Sequence, residues 1–318
     1  GGIIAENCIF KANARNIYIS TPDTPTPIAT NAFLNCQFIN NRFSDTSGDT
    51  KYGSTIFSAG TIPIVISNCV FSGNSLSHCD SAPVIRYACD SLVIDSRFEG
   101  NEAQYTARAP IHISGGKHLF IRCSFETNKV NTSTAYYYPS VAAVVYQAGG
   151  QTMFRDCLFR GNTAPAWGNK AYADNQGSAS VLAVNGSLES TFVNCTIEGN
   201  SASATATSGS AATILGNTAR IALVNCIVRN NTIGTGAAYS GEFGFGGGTS
   251  GSTFALINSV VQSQSSDKIF MAPSAFRPCV VSSVIEGADL DALAPINNSY
   301  MINASNAEAK FEKKYRII

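Results

Sequence analysis

Charge is scarce in this chain. Aspartate, glutamate, lysine and arginine make up 13% of its 318 residues and the net charge is zero. No electrostatic surplus exists to hold nucleic acid or an anionic membrane. Histidine occurs three times, as His78, His112 and His118, and never at metal-ligand spacing, so no metal and no other cofactor is expected. No run approaches the ~20 apolar residues that cross a bilayer, and no basic stretch with an apolar core stands at the start. Helical periodicity is missing too: no segment sustains apolar residues at i, i+3, i+4 and i+7.

What is present is a repeat. A phrase of the form [N/D/R/S]-[C/S]-x-[F/I/V]-x-x-N begins at Asn7-Cys8-Ile9-Phe10-Lys11-Ala12-Asn13 and recurs along the chain. Its cysteines are Cys8, Cys36, Cys69, Cys123, Cys157, Cys195 and Cys226, with Ser96 standing in once. Its terminal asparagines are Asn13, Asn41, Asn74, Asn101, Asn128, Asn162, Asn200 and Asn231. Two decayed copies follow, at Ser259/Val261/Gln264 and Ser283/Ile285/Ala288. Successive Cys or Ser positions lie 24 to 38 residues apart, the period of a solenoid.

On an extended strand the Cys and the Phe of each phrase share one side, and the variable residue between them faces away. Two further β-rich runs precede each phrase, so three short strands per turn are expected. In-register thiols would sit about 4.7–4.9 Å apart, too far to bridge, and are read as free, buried, small apolar fillers. Each asparagine is expected to tolerate a left-handed backbone and to bond its counterparts one rung above and below. Ten rungs give a shaft about 43 Å long. Cys79 and Cys89 flank one short segment and would bridge in an oxidising compartment.

The F-x-x-N element beside Gly1-Gly2-Ile3-Ile4 resembles the repeats of polymorphic outer-membrane proteins, and the whole pattern over about residues 1–290 resembles the pectate-lyase-like superfamily. That resemblance implies an all-β fold: a right-handed parallel β-helix, or solenoid, of about ten rungs. Residues 1–288 form the coil, with loop insertions on one side, and 289–318 form a cap or connecting segment. The chain opens inside a turn of the coil, so further modules or subunits are expected to stack on that end.

Insertions run from about 128 to 140, 162 to 178, 200 to 210 and 231 to 252, all leaving just after the asparagine. They are expected to form a lateral ridge. Its aromatics, Tyr136, Tyr137, Tyr138, Trp167, Tyr172, Phe243 and Phe245, are candidates for stacking on a carbohydrate or a protein partner, or else for anchoring their own loops. No Asp-Asp pair and no Gly-His-Gly occurs. Glu102, Arg108 and Lys129 are the one acid-base group that suggests a lyase-like site, and no residue is assigned as catalytic. The chain therefore reads as a non-catalytic extracellular or cell-surface protein, adhesin-like, a stalk or an assembly component. The other reading is a polysaccharide lyase or glycoside hydrolase.

Overall fold

The computed structural model describes residues 2–13, 17–19, 30–44, 54–58, 60–77, 82–104, 108–131, 140–167, 177–204, 210–234, 239–246, 252–263, 269–271, 277–286 and 300–302. No helix occurs among them. The strands form three long sheets of 11, 16 and 10 strands, and every strand pair is parallel. Each strand pairs with its equivalent one repeat away, so the chain visits each sheet in turn, an arrangement compatible with a parallel β-helix. One turn runs through Ser91–Ile94 in the first sheet, Arg97–Glu99 and Glu102–Gln104 in the second, and Ile111–Ile113 in the third.

The phrase is a three-residue strand held between two left-handed bends. Its first residue has φ near +50° on successive turns, including Asn35 (52°), Asp95 (52°), Arg122 (50°) and Asn194 (53°). The second bend is the residue before the asparagine: Asn40 (52°), Gly73 (64°), Thr127 (54°) and Asn230 (54°) among others. Asn, Asp and Gly reach this region at least cost, which accounts for the composition of both positions. The left-handed residue is thus the neighbour of the repeat asparagine, not the asparagine itself. Because the bend turns the chain without ending its pairing, the next residues form a strand of their own. Arg42–Ser44, Ser75–Ser77, Glu102–Gln104 and Lys129–Asn131 make a fourth ladder, where the sequence suggested three strands per turn. The stretches read as insertions therefore begin as strands.

Three of the columns that fill the interior come from the phrase. Phe10, Phe38, Phe71, Phe98, Phe125 and Phe159 stack with centroids 4.5–4.9 Å apart and rings within 12° of parallel. The asparagines form the second column. Asn101 Nδ2 donates to Phe71 O at 2.9 Å and to Asn128 Oδ1 at 3.0 Å, and Asn101 Oδ1 accepts from the backbone and side chain of Asn74. The pattern repeats from Asn41 to Asn200.

The thiols form the third column, and they do more than fill space. Cys36 Sγ donates toward Leu34 O at 3.2 Å, while Cys36 N–H donates to Cys69 Sγ at 3.4 Å. At the next step Cys69 N–H donates to Ser96 Oγ, 3.1 Å away, and Cys226 N–H to Ser259 Oγ, 3.0 Å away. Serine substitutes here because the site needs a small donor-acceptor. Burial pushes the Cys69 thiol up to about 11. Cys89 is a free, buried thiol 3.1 Å from Ser58 Oγ, while Cys79 lies outside the described residues. Of residues 289–318 the described part is Tyr300–Ile302, which pairs with Arg277–Val281 as the last strand of the first sheet.

Candidate functional site

Within the second sheet the fourth ladder meets the ladder of phrase strands at the left-handed corner, and outside that corner runs a polar groove. A stretch of it with a volume of about 530 Å3 is lined by Arg42, Phe43, Ser75, Ser77, Glu102 and Gln104, and Asn40, Gly73 and Gly100 of the bend also line it. Parallel register places Arg42, Ser75, Glu102 and Lys129 in one row. Asn131 Nδ2 reaches Glu102 Oε1 at 3.4 Å. The groove thus offers a guanidinium, a carboxylate, an amide and hydroxyls, with the Lys129 position next in the row, at the spacing of adjacent strands, about 4.8 Å. Such a set suits a ligand rich in hydroxyl groups.

On the sheet side of the same corner, further along the coil, Glu198 takes Arg160 at 2.6 Å and Arg229 at 2.7 Å. Burial pushes its carboxyl up, but the hydrogen bonds from Arg229 and Arg160 outweigh burial and hold it below the usual carboxylate range. Glu198 is an ionised structural anchor with its oxygens engaged, poorly suited to proton transfer.

Of the lyase-like set, Glu102 and Lys129 are brought together as register partners. Arg108 is turned elsewhere: its guanidinium lies over the Tyr146 ring at 4.8 Å and donates to the Tyr146 hydroxyl. His112 meets the same ring edge-on at 5.2 Å. Burial, with the charges of Arg86 and Arg108, lowers the His112 pKa to about 3, so it stays neutral. His118 is buried with Nδ1 2.8 Å from Ser91 Oγ. His78 lies outside the described residues, and among those described no three His, Cys, Asp or Glu side chains form a group that could hold a metal ion.

The proposed ridge fares unevenly. Tyr136, Tyr137, Tyr138 and Tyr172 lie outside the described residues. Trp167 closes the strand Thr163–Trp167 with its backbone in register with Ala204. Phe243 and Phe245 require a correction, because both are buried in the main core, at 0% and 4% exposure. In Gly241-Glu242-Phe243-Gly244-Phe245 the two phenyl rings are two residues apart and share the inner side of a strand. There they contact Phe254, with centroids 4.6 and 5.8 Å away.

Sequence reasoning also missed Glu242. Register places it in a core column otherwise made of Val144, Val181, Thr213 and Ile269, the residues just before Val145, Leu182, Ile214 and Phe270. Its Oε1 accepts from Asn231 Nδ2 at 2.8 Å and so terminates the asparagine ladder in place of a further asparagine. Burial raises its pKa to about 7, although the hydrogen bond from Asn231 opposes the rise. Comparison with protein-family models, curated proteins and solved structures finds no match to the chain.

Proposed function

We propose that this chain is a right-handed parallel β-helix of about ten rungs that serves as a rigid, non-catalytic recognition module of a secreted or cell-surface protein. On this reading it is an adhesin-like or stalk-like component that holds a glycan along its asparagine corner. The observation that carries the reading is the groove itself. Its row of Arg42, Ser75 and Glu102, which register continues to Lys129, is periodic with the strands and backed by an unbroken hydrogen-bonded asparagine ladder. A periodic, rigid row of donors and acceptors matches a polymer of hydroxylated units, and pre-ordering lowers the entropy cost of binding.

The pairing of Glu102 with Lys129 favours a second reading, a polysaccharide lyase or hydrolase using the same groove. Retention on immobilised acidic and neutral polysaccharides, with and without Ca2+, separates the two when unsaturated products and reducing ends are followed in parallel. Retention without product is the expected result. Product formation that Glu102→Gln abolishes would establish the enzyme instead, and no retention on any glycan would remove both readings.

A further inference from the structure

The outer face of the first sheet carries a size pattern that the groove does not use. Outward and core positions alternate along each strand, and parallel register stacks the outward ones in columns. Between the register positions of Ala32 and Tyr300, one column carries first bulky side chains: Val65, Leu92, Leu119 and Met153. It continues with small ones: Thr191, Ala222, Ala255 and Cys279. Over the small half lies a trough of about 620 Å3, with Glu189 and Arg220 at its edge. Met153 is 40% exposed, and the other seven of these side chains are half-buried by their neighbours above and below. The adjacent outward column, with Ile94, Ile121, Val224 and Ile257, is apolar as well, interrupted by Ser67 and Arg155.

We propose that a second copy of this chain seats on this face with its coil axis antiparallel to the first. A twofold axis parallel to the strands, passing between Met153 and Thr191, turns the sheet over, keeps each column opposite itself and reverses its order. Met153 then meets the partner's Thr191, Leu119 the partner's Ala222, Leu92 the partner's Ala255 and Val65 the partner's Cys279. All four contacts set a large side chain against a small one, and the bulky half of each copy fills the trough of the other. That is the self-complementarity an isologous interface requires. A twofold axis along the coil would set bulky against bulky and leave the two troughs facing each other, empty.

The seven strand intervals from Val65 to Cys279 span ~34 Å, and with a strand width of ~15 Å the contact covers ~500 Å2 per copy, or ~1,000 Å2 in total. That lies at the low end for specific interfaces, so the dimer is weak and reversible.

The register itself is testable with one substitution. Val65 and Cys279 of one chain are ~34 Å apart and cannot bridge internally, whereas across the twofold axis they are opposed. Val65→Cys treated with a bismaleimide crosslinker of ~8 Å reach, suited to thiols on sheets packed ~10 Å apart, is expected to yield a covalent dimer whose bridge maps by peptide analysis to positions 65 and 279. Adding Cys279→Ser abolishes it. In parallel, sedimentation equilibrium of the unmodified chain over a hundredfold concentration range should show a mass rising toward two chains, and Ala222→Arg should weaken association at least tenfold. A mass of one chain throughout would overturn the proposal, as would a heavier species that Ala222→Arg leaves intact or whose bridge does not map to 65 and 279.

Discussion

Replacing Asn101 by alanine removes four hydrogen bonds from a fully buried column. The Oδ1 of Asn101 accepts the Asn74 backbone N–H at 3.0 Å and Asn74 Nδ2 at 2.9 Å, and its Nδ2 donates to Phe71 O and Asn128 Oδ1. The two acceptors suffer less, since Asn128 Oδ1 still receives the residue 101 backbone N–H, 3.1 Å away. The Asn74 backbone N–H and one of its two Nδ2 hydrogens are left without an acceptor, the other Nδ2 hydrogen still reaching Phe38 O, where Asn74 has 0% exposure. At about 1–3 kcal/mol per stranded donor, plus a small cavity, Asn101→Ala should cost about 3–6 kcal/mol. Asn101→Asp keeps both acceptor contacts but faces Phe71 O and Asn128 Oδ1 with a carboxylate. It should destabilise at least as much at neutral pH and recover in acid, where a protonated carboxyl donates one bond. Guanidinium unfolding followed by circular dichroism measures both, and hydrogen exchange at Asn74 locates the damage. If both variants stay within about 1 kcal/mol of the parent, the ladder is not a stabilising column.

Three other perturbations probe the remaining columns and the buried acid. Ser96→Cys should be nearly neutral, whereas Ser96→Ala strands the Cys69 N–H and should cost about 1–3 kcal/mol; equal effects in denaturant melts would contradict the hydrogen-bonding role of this position. Phe98→Ala should cost about 3–5 kcal/mol in the same assay, and a change near zero would mean that the ring stack contributes nothing. Glu242, with its pKa raised to about 7 from 4.5, holds a proton when folded that it loses when unfolded between those values. Its contribution is full below about 4.5 and is lost as pH rises to 7, roughly 3 kcal/mol in all. His112 acts in the opposite sense: lowered from 6.5 to about 3, it contributes fully above 6.5 and loses that contribution as pH falls. Glu242→Gln should therefore abolish the fall and leave the histidine's rise. Melting temperatures against pH that run parallel for parent and variant would refute the assignment.

The repeat phrase made the ladders legible because its residues answer to backbone geometry and local stacking. The period located equivalent strands, and Cys, Phe and Asn fell into columns. What the phrase concealed was its two bends. Arg122 and Thr127 occupy left-handed positions that composition does not advertise, and the bend before Asn101 continues directly into the strand Glu102–Gln104. A strand of three residues with mixed polarity looks like a loop, and for that reason the groove beside Arg42, Ser75 and Glu102 was not visible. Phe243 and Phe245 misled for a related reason. Glycine on either side of an aromatic suggests an exposed loop, yet here Gly244 is the outward residue of a strand and the rings face the core. Glu242 was unreadable because its setting depends on Asn231 and on Thr213 of the preceding turn.

Calorimetric titration of whichever glycan the chain retains, against the parent and against an Arg42→Ala/Glu102→Ala double variant, tests the functional reading most directly. Recognition in the corner groove predicts saturable binding that strengthens with oligosaccharide length, yields no cleavage product, and weakens at least tenfold in the variant. Unchanged affinity in the variant, with its ladder and fold intact by circular dichroism, would contradict it.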